Sequence, residues 1–302
     1  MTRVSAIDLV PYSTPIYDNA RWEGFESRPG DIFVCTPAKC GTTWTQTIVA
    51  NLLFPEGDLP APVMGLSLWI ELRPLPVEVM HQMLAGQSHR RVIKSHSPAD
   101  GIPWLDDAKY VVVGRDGRDG FMSLCNHMER MKFRGEVDDE IAAAPGFADL
   151  PDFDGDVRSF FAAWLESREN VPRILSGYWE RRSQPNVLLV HYNDLKRDLG
   201  AEMRRIADFL GIEVPEALWS GCVERCGFDY MRNHPEMVGD FEAMFEGGTK
   251  GFIYKGTNDR WRDVLTDADV AAYERMVAEV LPAEACAWLA GGRRAGPPAP
   301  AG

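Results

Sequence analysis

No apolar run in the 302 residues approaches the ~18 that a membrane-spanning helix requires, so none is expected. The opening stretch MTRVSAIDLVPYSTP likewise lacks the apolar centre of a signal peptide. Basic residues are in deficit: 32 Lys and Arg stand against 45 Asp and Glu, for a net charge of −13. A broad nucleic-acid or anionic-lipid surface needs a basic footprint, so no nucleic-acid partner is expected. An anionic ligand would have to be gripped by a local cluster of cations. The six cysteines, at 35, 40, 125, 222, 226 and 286, are too scattered for a disulfide framework and point to a reduced, cytoplasmic protein. Cys222 and Cys226 could share one face of a helix, but with no histidine beside them buried thiols are the expected outcome. The six histidines show no ligand spacing either, so no metal is expected. No internal repeat is present.

What the chain does have is a set of short β-branched runs: DIFVC (31–35), RRVIK (90–94), KYVVVG (109–114) and NVLLVH (186–191). Apolar on both faces, they read as central strands of a parallel sheet. Helical patterns at 42–54, 118–131, 156–182 and 199–211 separate or follow them. Alternation of this kind predicts an α/β fold: a doubly wound parallel sheet with helices on both faces and right-handed crossovers. Residues 1–290 read as one domain. The acidic, Pro/Gly-punctuated stretch 135–156 reads as an inserted loop or lid, and 291–302 as a disordered tail.

Four stretches carry chemistry. In TPAKCGTTW (36–44) a strand feeds a turn and then a helix, whose first N–H groups and dipole make an anion site. Gly41 would let the backbone approach the anion, and Lys39 is aimed at the same place. The loop is P-loop-like, but its lysine precedes the glycine where a triphosphate loop has Gly-Lys-Ser/Thr. A helix capped by Thr42 with nothing bound would share this pattern. In RVIKSHSPAD (91–100), Lys94 and His96 sit at the carboxyl end of a strand, where open α/β sheets bind ligands. Two residues apart on extended chain, they face one side and can combine a cation with a base. In VVVGRDGRDGFMSLCNHM (111–128), Arg115 leaves the next strand at the same end, and Ser123 follows on a helix. Arg suits bidentate phosphate contact, although this run could equally form surface ion pairs. FIYKGTNDRWRDVLT (252–266) offers a basic loop ahead of Trp261.

Taken in order, these stretches resemble the cytosolic-type sulfotransferase family, which uses 3′-phosphoadenosine 5′-phosphosulfate (PAPS). The family's TYPKSGTTW loop matches Lys39, Gly41, Thr42, Thr43 and Trp44. Its K-T-H segment is similar to Lys94-Ser95-His96, and its R-x-x-x-D-x-x-x-S segment to Arg115, Asp119 and Ser123. Its R-K-G-x-x-G-D-W loop corresponds to residues 254–261, and VLLVHYNDLKRDL resembles its strand followed by Y-E-D-L-K. The match runs in register over roughly 20–290, and its ends look most like actinobacterial glycolipid and aryl sulfotransferases.

The resemblance implies that Lys39, Cys40, Gly41, Thr42 and Thr43 hold the 5′-phosphosulfate. Trp44 stacks on adenine with Tyr192 and Phe228 beside it, and Arg115, Ser123, Lys255 and Gly256 bind the 3′-phosphate. His96 is the implied base, with Lys39 and Lys94 stabilising the transferring group; transfer is direct and in line to a partly apolar acceptor hydroxyl, such as a small phenol, an alcohol or a glycolipid. PAP leaves as product, and no metal takes part. The sequence departs from the family at Cys40 (Ser), Tyr254 (Arg) and Asp259-Arg260 (Gly-Asp), and Asp267 and Ala271 break its short dimer motif, which leaves the oligomeric state open. The stretch 59–80, rich in Pro, Leu and Met and carrying Trp69, can wall the acceptor site or simply pack the core. A P-loop phosphotransferase or kinase, and a non-catalytic nucleotide-binding protein, are the competing readings of the same strand–loop–helix.

Overall fold

The computed structural model describes residues 3–14, 16–132 and 153–293. Among the described residues, five strands form one sheet: β1 Ile32–Cys35, β2 Ser67–Leu68, β3 Val92–Ser95, β4 Lys109–Gly114 and β5 Val187–His191. Their order is β2-β3-β1-β4-β5, and every pair is parallel. The four expected strands are all present. The fifth, β2, has only two residues and comes from the 59–80 stretch, too short for any periodicity to reveal.

Alternation along the strands sorts side chains onto two faces. Phe33, Cys35, Ile93, Tyr110 and Val112 join one buried cluster; Ile32, Val34, Val92, Val111 and Val113 join another. Both faces are covered, which is why the strands are apolar throughout. Helix α1 (Thr42–Leu53) packs on the second face, followed by α2 (Val63–Leu66) and α3 (Val77–Gly86). Helix α4 (Gly117–Arg130) starts just after β4 and is capped by Asp116, whose side chain accepts from the Arg118 N–H.

The expected helix 156–182 is two helices, Val157–Glu166 and Val171–Glu180. Pro172 has no N–H and fits only a first turn. Asn170, wholly buried, caps the second helix through the Arg173 N–H and donates to Leu165 O of the first. The acidic stretch 135–156 lies mostly outside the described residues, as does the tail beyond Arg293. Arg293 itself is tied to Asp194 and Glu202.

Register aligns the carboxyl ends. Cys35 pairs with Ser95 and Val112, and Gly114 with His191. His96, Arg115 and Tyr192 each follow their strand's last residue by one, so three strand ends open beside the loop leaving β1. Strands β2 and β3 lie to one side of β1 and β4 and β5 to the other, the topology that leaves a crevice at the carboxyl edge.

Candidate active site

The loop between β1 and α1 turns on two left-handed residues, Lys39 (φ 63°) and Gly41 (φ 105°). A side chain at Gly41 would be strained: its Cβ would stand 3.0 Å from the Tyr192 ring in a left-handed conformation. Lys39 holds its conformation at a cost of about 1–2 kcal/mol. Arg115 offsets that by donating from Nη1 to the Lys39 carbonyl at 3.0 Å. The N–H groups of Thr42, Thr43 and Trp44, in the first turn of α1, have no intrahelical partner. The hydroxyls of Thr36 and Thr42 meet at 2.5 Å beneath it. Cys40 is different. Its thiol is fully buried in the core, burial pushes it up to about 12, and its N–H is taken by Pro37 O.

At the end of β3, His96 Nδ1 lies 2.6 Å from Thr36 O. A carbonyl only accepts, so Nδ1 carries the proton and Nε2 keeps its lone pair. Burial and then Lys94, with Lys39 adding to them, hold the His96 pKa well below its ordinary value, and the ring is neutral at pH 7. Trp69 packs edge-on against His96 at 4.8 Å and carries the Lys94 ammonium over its face at 4.1 Å. In the 59–80 stretch Val63, Leu66, Leu68 and Ile70 pack the core, while Trp69 lies against His96 and Lys94.

Glu71, two residues further on, is wholly buried and accepts from Trp22 Nε1, Trp69 Nε1, Ser95 Oγ and Ser97 Oγ, at 2.6–3.1 Å. It therefore pins the residues on either side of His96 and the ring packed against it. Burial raises its pKa, while these four donors oppose the rise.

Lys39 Nζ sits 3.1 Å from His127 Nδ1 on α4 and 4.8 Å over the Phe252 ring. Burial lowers Lys39 to about 7, with Lys94 and Arg115 adding to the effect; burial lowers Lys94 to about 8, partly offset by Glu71. His127 is likewise held down by burial, then Lys39 and Lys94, and packs against Phe245 at 4.6 Å. These cations crowd together with only the partial compensation that Glu71 gives Lys94, a state that an anion would relieve.

Arg115 is nearly inaccessible. Its guanidinium donates to Asn258 Oδ1 at 2.8 and 3.2 Å and to Thr257 O at 3.1 Å, and lies 4.1 Å over Tyr192. Tyr192 packs edge-on to Trp44 at 5.3 Å, and Trp44 is anchored by its Nε1 donating to Cys226 O. Phe228 is partly exposed, and its ring lies against Gly256 (φ 61°), where a Cβ would come within 2.8 Å. Lys39, Lys94 and His96 thus form one cluster. Arg115, Tyr192 and Trp44 form a second, joined to it through the Lys39 backbone, and Phe228 lies on Gly256, next to the Thr257 carbonyl that Arg115 holds. Thr42 and Thr43 open α1 between the two. Ser123 is half-buried on α4, and Lys255 is exposed, its ammonium 4.9 Å from the Tyr254 ring centroid. Among the described residues, no three His, Cys, Asp or Glu side chains come together to suit a metal ion.

Sequence reasoning missed Glu71, His127 and Asn258. His127 lies four residues after Ser123, one turn along the same face of α4, so helical spacing could have found it. Glu71 is a lone acid inside the apolar run LSLWIEL, a weaker signal. Asn258 had no local signal.

The family described as "Sulfotransferase domain" matches residues 29–283. A glycolipid sulfotransferase of Mycobacterium bovis (strain BCG / Pasteur 1173P2) is 32% identical, with 97% of each chain covered. Sulfotransferase 1C2 of Oryctolagus cuniculus is 25% identical over 88% of each. Among solved structures, a retinol dehydratase in complex with androsterone and inactive cofactor PAP shares the fold at TM-score 0.67 and 22% identity. That likeness covers 86% of this chain and 82% of the other.

Proposed function

The chain belongs to the sulfotransferase family and moves a sulfuryl group from PAPS to an acceptor hydroxyl; on that premise we propose His96 as the general base. Lys39 and Lys94 meet the charge of the transferring group, and the acceptor is a partly apolar molecule, a hydroxylated lipid or glycolipid in preference to a small phenol or alcohol. One observation carries the base assignment. With Nδ1–H tied to Thr36 O, the His96 Nε2 lone pair is the atom left to take a hydroxyl proton.

The residues fit the donor. Gly41 permits a close backbone approach, the first turn of α1 offers free N–H groups, and Lys39 and Lys94 lack acidic partners strong enough to restore their ordinary pKa values. Trp44, Tyr192 and Phe228 supply aromatic faces for a base, and Arg115 stands beside them for a phosphate. When bound, the donor supplies an activated sulfuryl group whose departure leaves charge on a phosphate oxygen. Lys39 is placed to stabilise charge that grows during transfer, which lowers the barrier more than it tightens ground-state binding. Trp69 and Glu71 hold the base in place, so positioning contributes alongside proton transfer.

Apolar rings beside the reacting cluster support the acceptor class: Trp69 against His96, and Phe245 and Phe252 against His127 and Lys39. The mycobacterial relative, similar over 97% of its length, is named for a glycolipid. We also take residues 1–290 as one catalytic domain working in the cytoplasm, a reading supported by six unpaired cysteines, five of them buried. Among the described residues no helix is long and apolar enough to cross a membrane.

The test is mass spectrometry of a panel of glycolipids, long-chain alcohols and phenols incubated with PAPS and the enzyme. Addition of one sulfo group to the lipid-like members, slowed by about 10²–10⁴-fold in His96→Gln, is expected. Turnover confined to small phenols would overturn the acceptor class, and full turnover in His96→Gln would overturn the base.

A further inference from the structure

The loop 254–260 rearranges its charges. Tyr254 has no cation of its own to offer; its ring lies under the Arg130 guanidinium at 3.7 Å. Six residues on, Arg260 opens the short 3-10 helix Arg260–Asp263, and its side chain folds back toward α4. Its Nη1 donates to Asn126 Oδ1 at 3.1 Å, one turn beyond Ser123, while its buried Nε has no hydrogen-bond partner among the described residues. Burial and then the like charge of Arg115 lower its pKa, and Asp119 only partly compensates. Asp119 is itself committed to the Asp259 N–H at 2.7 Å and is pushed up to about 6 by burial. The loop thus brings Arg260 to α4 two residues after the Asn258 that Arg115 holds, with one buried N–H of Arg260 unused among the described residues. Arrangements of this kind are stable in the presence of an anion of two charges.

We propose that Arg260 is a ligand of the nucleotide's 3′-phosphate, replacing in space the guanidinium that Tyr254 lacks in sequence, and that it grips this phosphate together with Arg115. This rests on the donor assignment above and adds a residue to it. Where the resembling family carries Arg and Asp at these two positions, this chain carries Tyr254 and Arg260, so the positive charge is moved along the loop and not lost. Position 260 suits the task because the turn at Asp259 (φ 64°) is held by its N–H donating to Asp119 Oδ1 on α4, and Arg260 itself reaches Asn126 of the same helix.

Isothermal titration of PAP and of adenosine 5′-phosphate, which lacks the 3′-phosphate, reads the proposal directly. Arg260→Gln should weaken PAP by about 10- to 100-fold, the range of a lost charge-assisted hydrogen bond, and adenosine 5′-phosphate by less than about threefold. Arg260→Lys, which keeps the charge but not the fork, should fall between. Tyr254→Arg placed on Arg260→Gln should recover most of the loss. Equal weakening of both nucleotides, no weakening, or the selective loss appearing in Arg130→Gln would overturn the proposal. A wild-type protein that binds both nucleotides equally would instead sink the donor assignment.

Discussion

Binding of PAP at pH 8 should draw protons out of solution, and Lys39 should take up most of them. In the free protein its ammonium is lowered from 10.5 to about 7 by burial, with Lys94 and Arg115 as the further causes. At pH 8 about nine-tenths of Lys39, and about half of Lys94 with its pKa near 8, is therefore neutral. A phosphate or phosphosulfate beside them favours the charged form of both. If binding restored Lys39 to its ordinary value, the gain would be about 5 kcal/mol, at ~1.4 kcal/mol for each unit recovered. That is a ceiling, because part of the depression comes from burial that the ligand does not remove. Affinity should be at its greatest while both lysines are charged and should fall as pH rises from 7 toward 9, by up to about tenfold per unit for each lysine that titrates. The assay is calorimetry between pH 7.5 and 9, where the nucleotide's own phosphates are fully ionised, in buffers of different ionisation enthalpy. Uptake of between one and one and a half protons is expected at pH 8. Lys39→Met should remove about nine-tenths of a proton, which separates Lys39 from the other groups facing it: Lys94, His96 and His127. Uptake below about 0.3 in the wild type, or identical uptake in Lys39→Met, would refute the reasoning.

Further outcomes follow from the same geometry. His96→Ala should lower turnover by about 10²–10⁴-fold while PAP affinity, read by calorimetry, stays within a few-fold; collapse of PAP binding with turnover intact would reverse the assignment. Arg115→Ala should do the opposite, weakening PAP by at least about tenfold, because it takes away the proposed phosphate ligand and the support of the Lys39 carbonyl together. Gly41→Ala should destabilise the fold by about 1–3 kcal/mol in urea titration and abolish donor binding, since the new Cβ meets Tyr192 in a left-handed conformation. Glu71→Gln should cost about 1.5–3 kcal/mol by leaving indole and hydroxyl donors poorly matched in a dry site; an unchanged unfolding free energy would mean the network is not strained by the loss.

Much of this protein can be read from its residues in order. The buried strands announce themselves because both of their faces must be apolar, and Phe33, Val34, Tyr110 and Val111 sort onto the two faces as alternation requires. The loop 36–44 is legible because a glycine forced into the left-handed region and a helix start leave few alternatives. Residues one step past a strand end, such as His96, Arg115 and Tyr192, converge by topology alone once the sheet is known to be parallel.

Other features could be settled only by the folded chain. Cys40 sits in the ligand loop by position, yet its thiol turns into the core. A helical pattern spanning 156–182 gave no warning that Asn170 would bridge two helices. Local composition sets backbone freedom and periodicity, which act over a few residues. The pairing of Arg115 with Asn258, Lys39 with His127 and Glu71 with Ser95 and Ser97 depends on segments that meet only after the crossovers are made. Polypeptide order therefore decided the sheet and the loop at its edge, whereas three-dimensional packing decided which side chains share a charge, a proton or a buried hydrogen bond there.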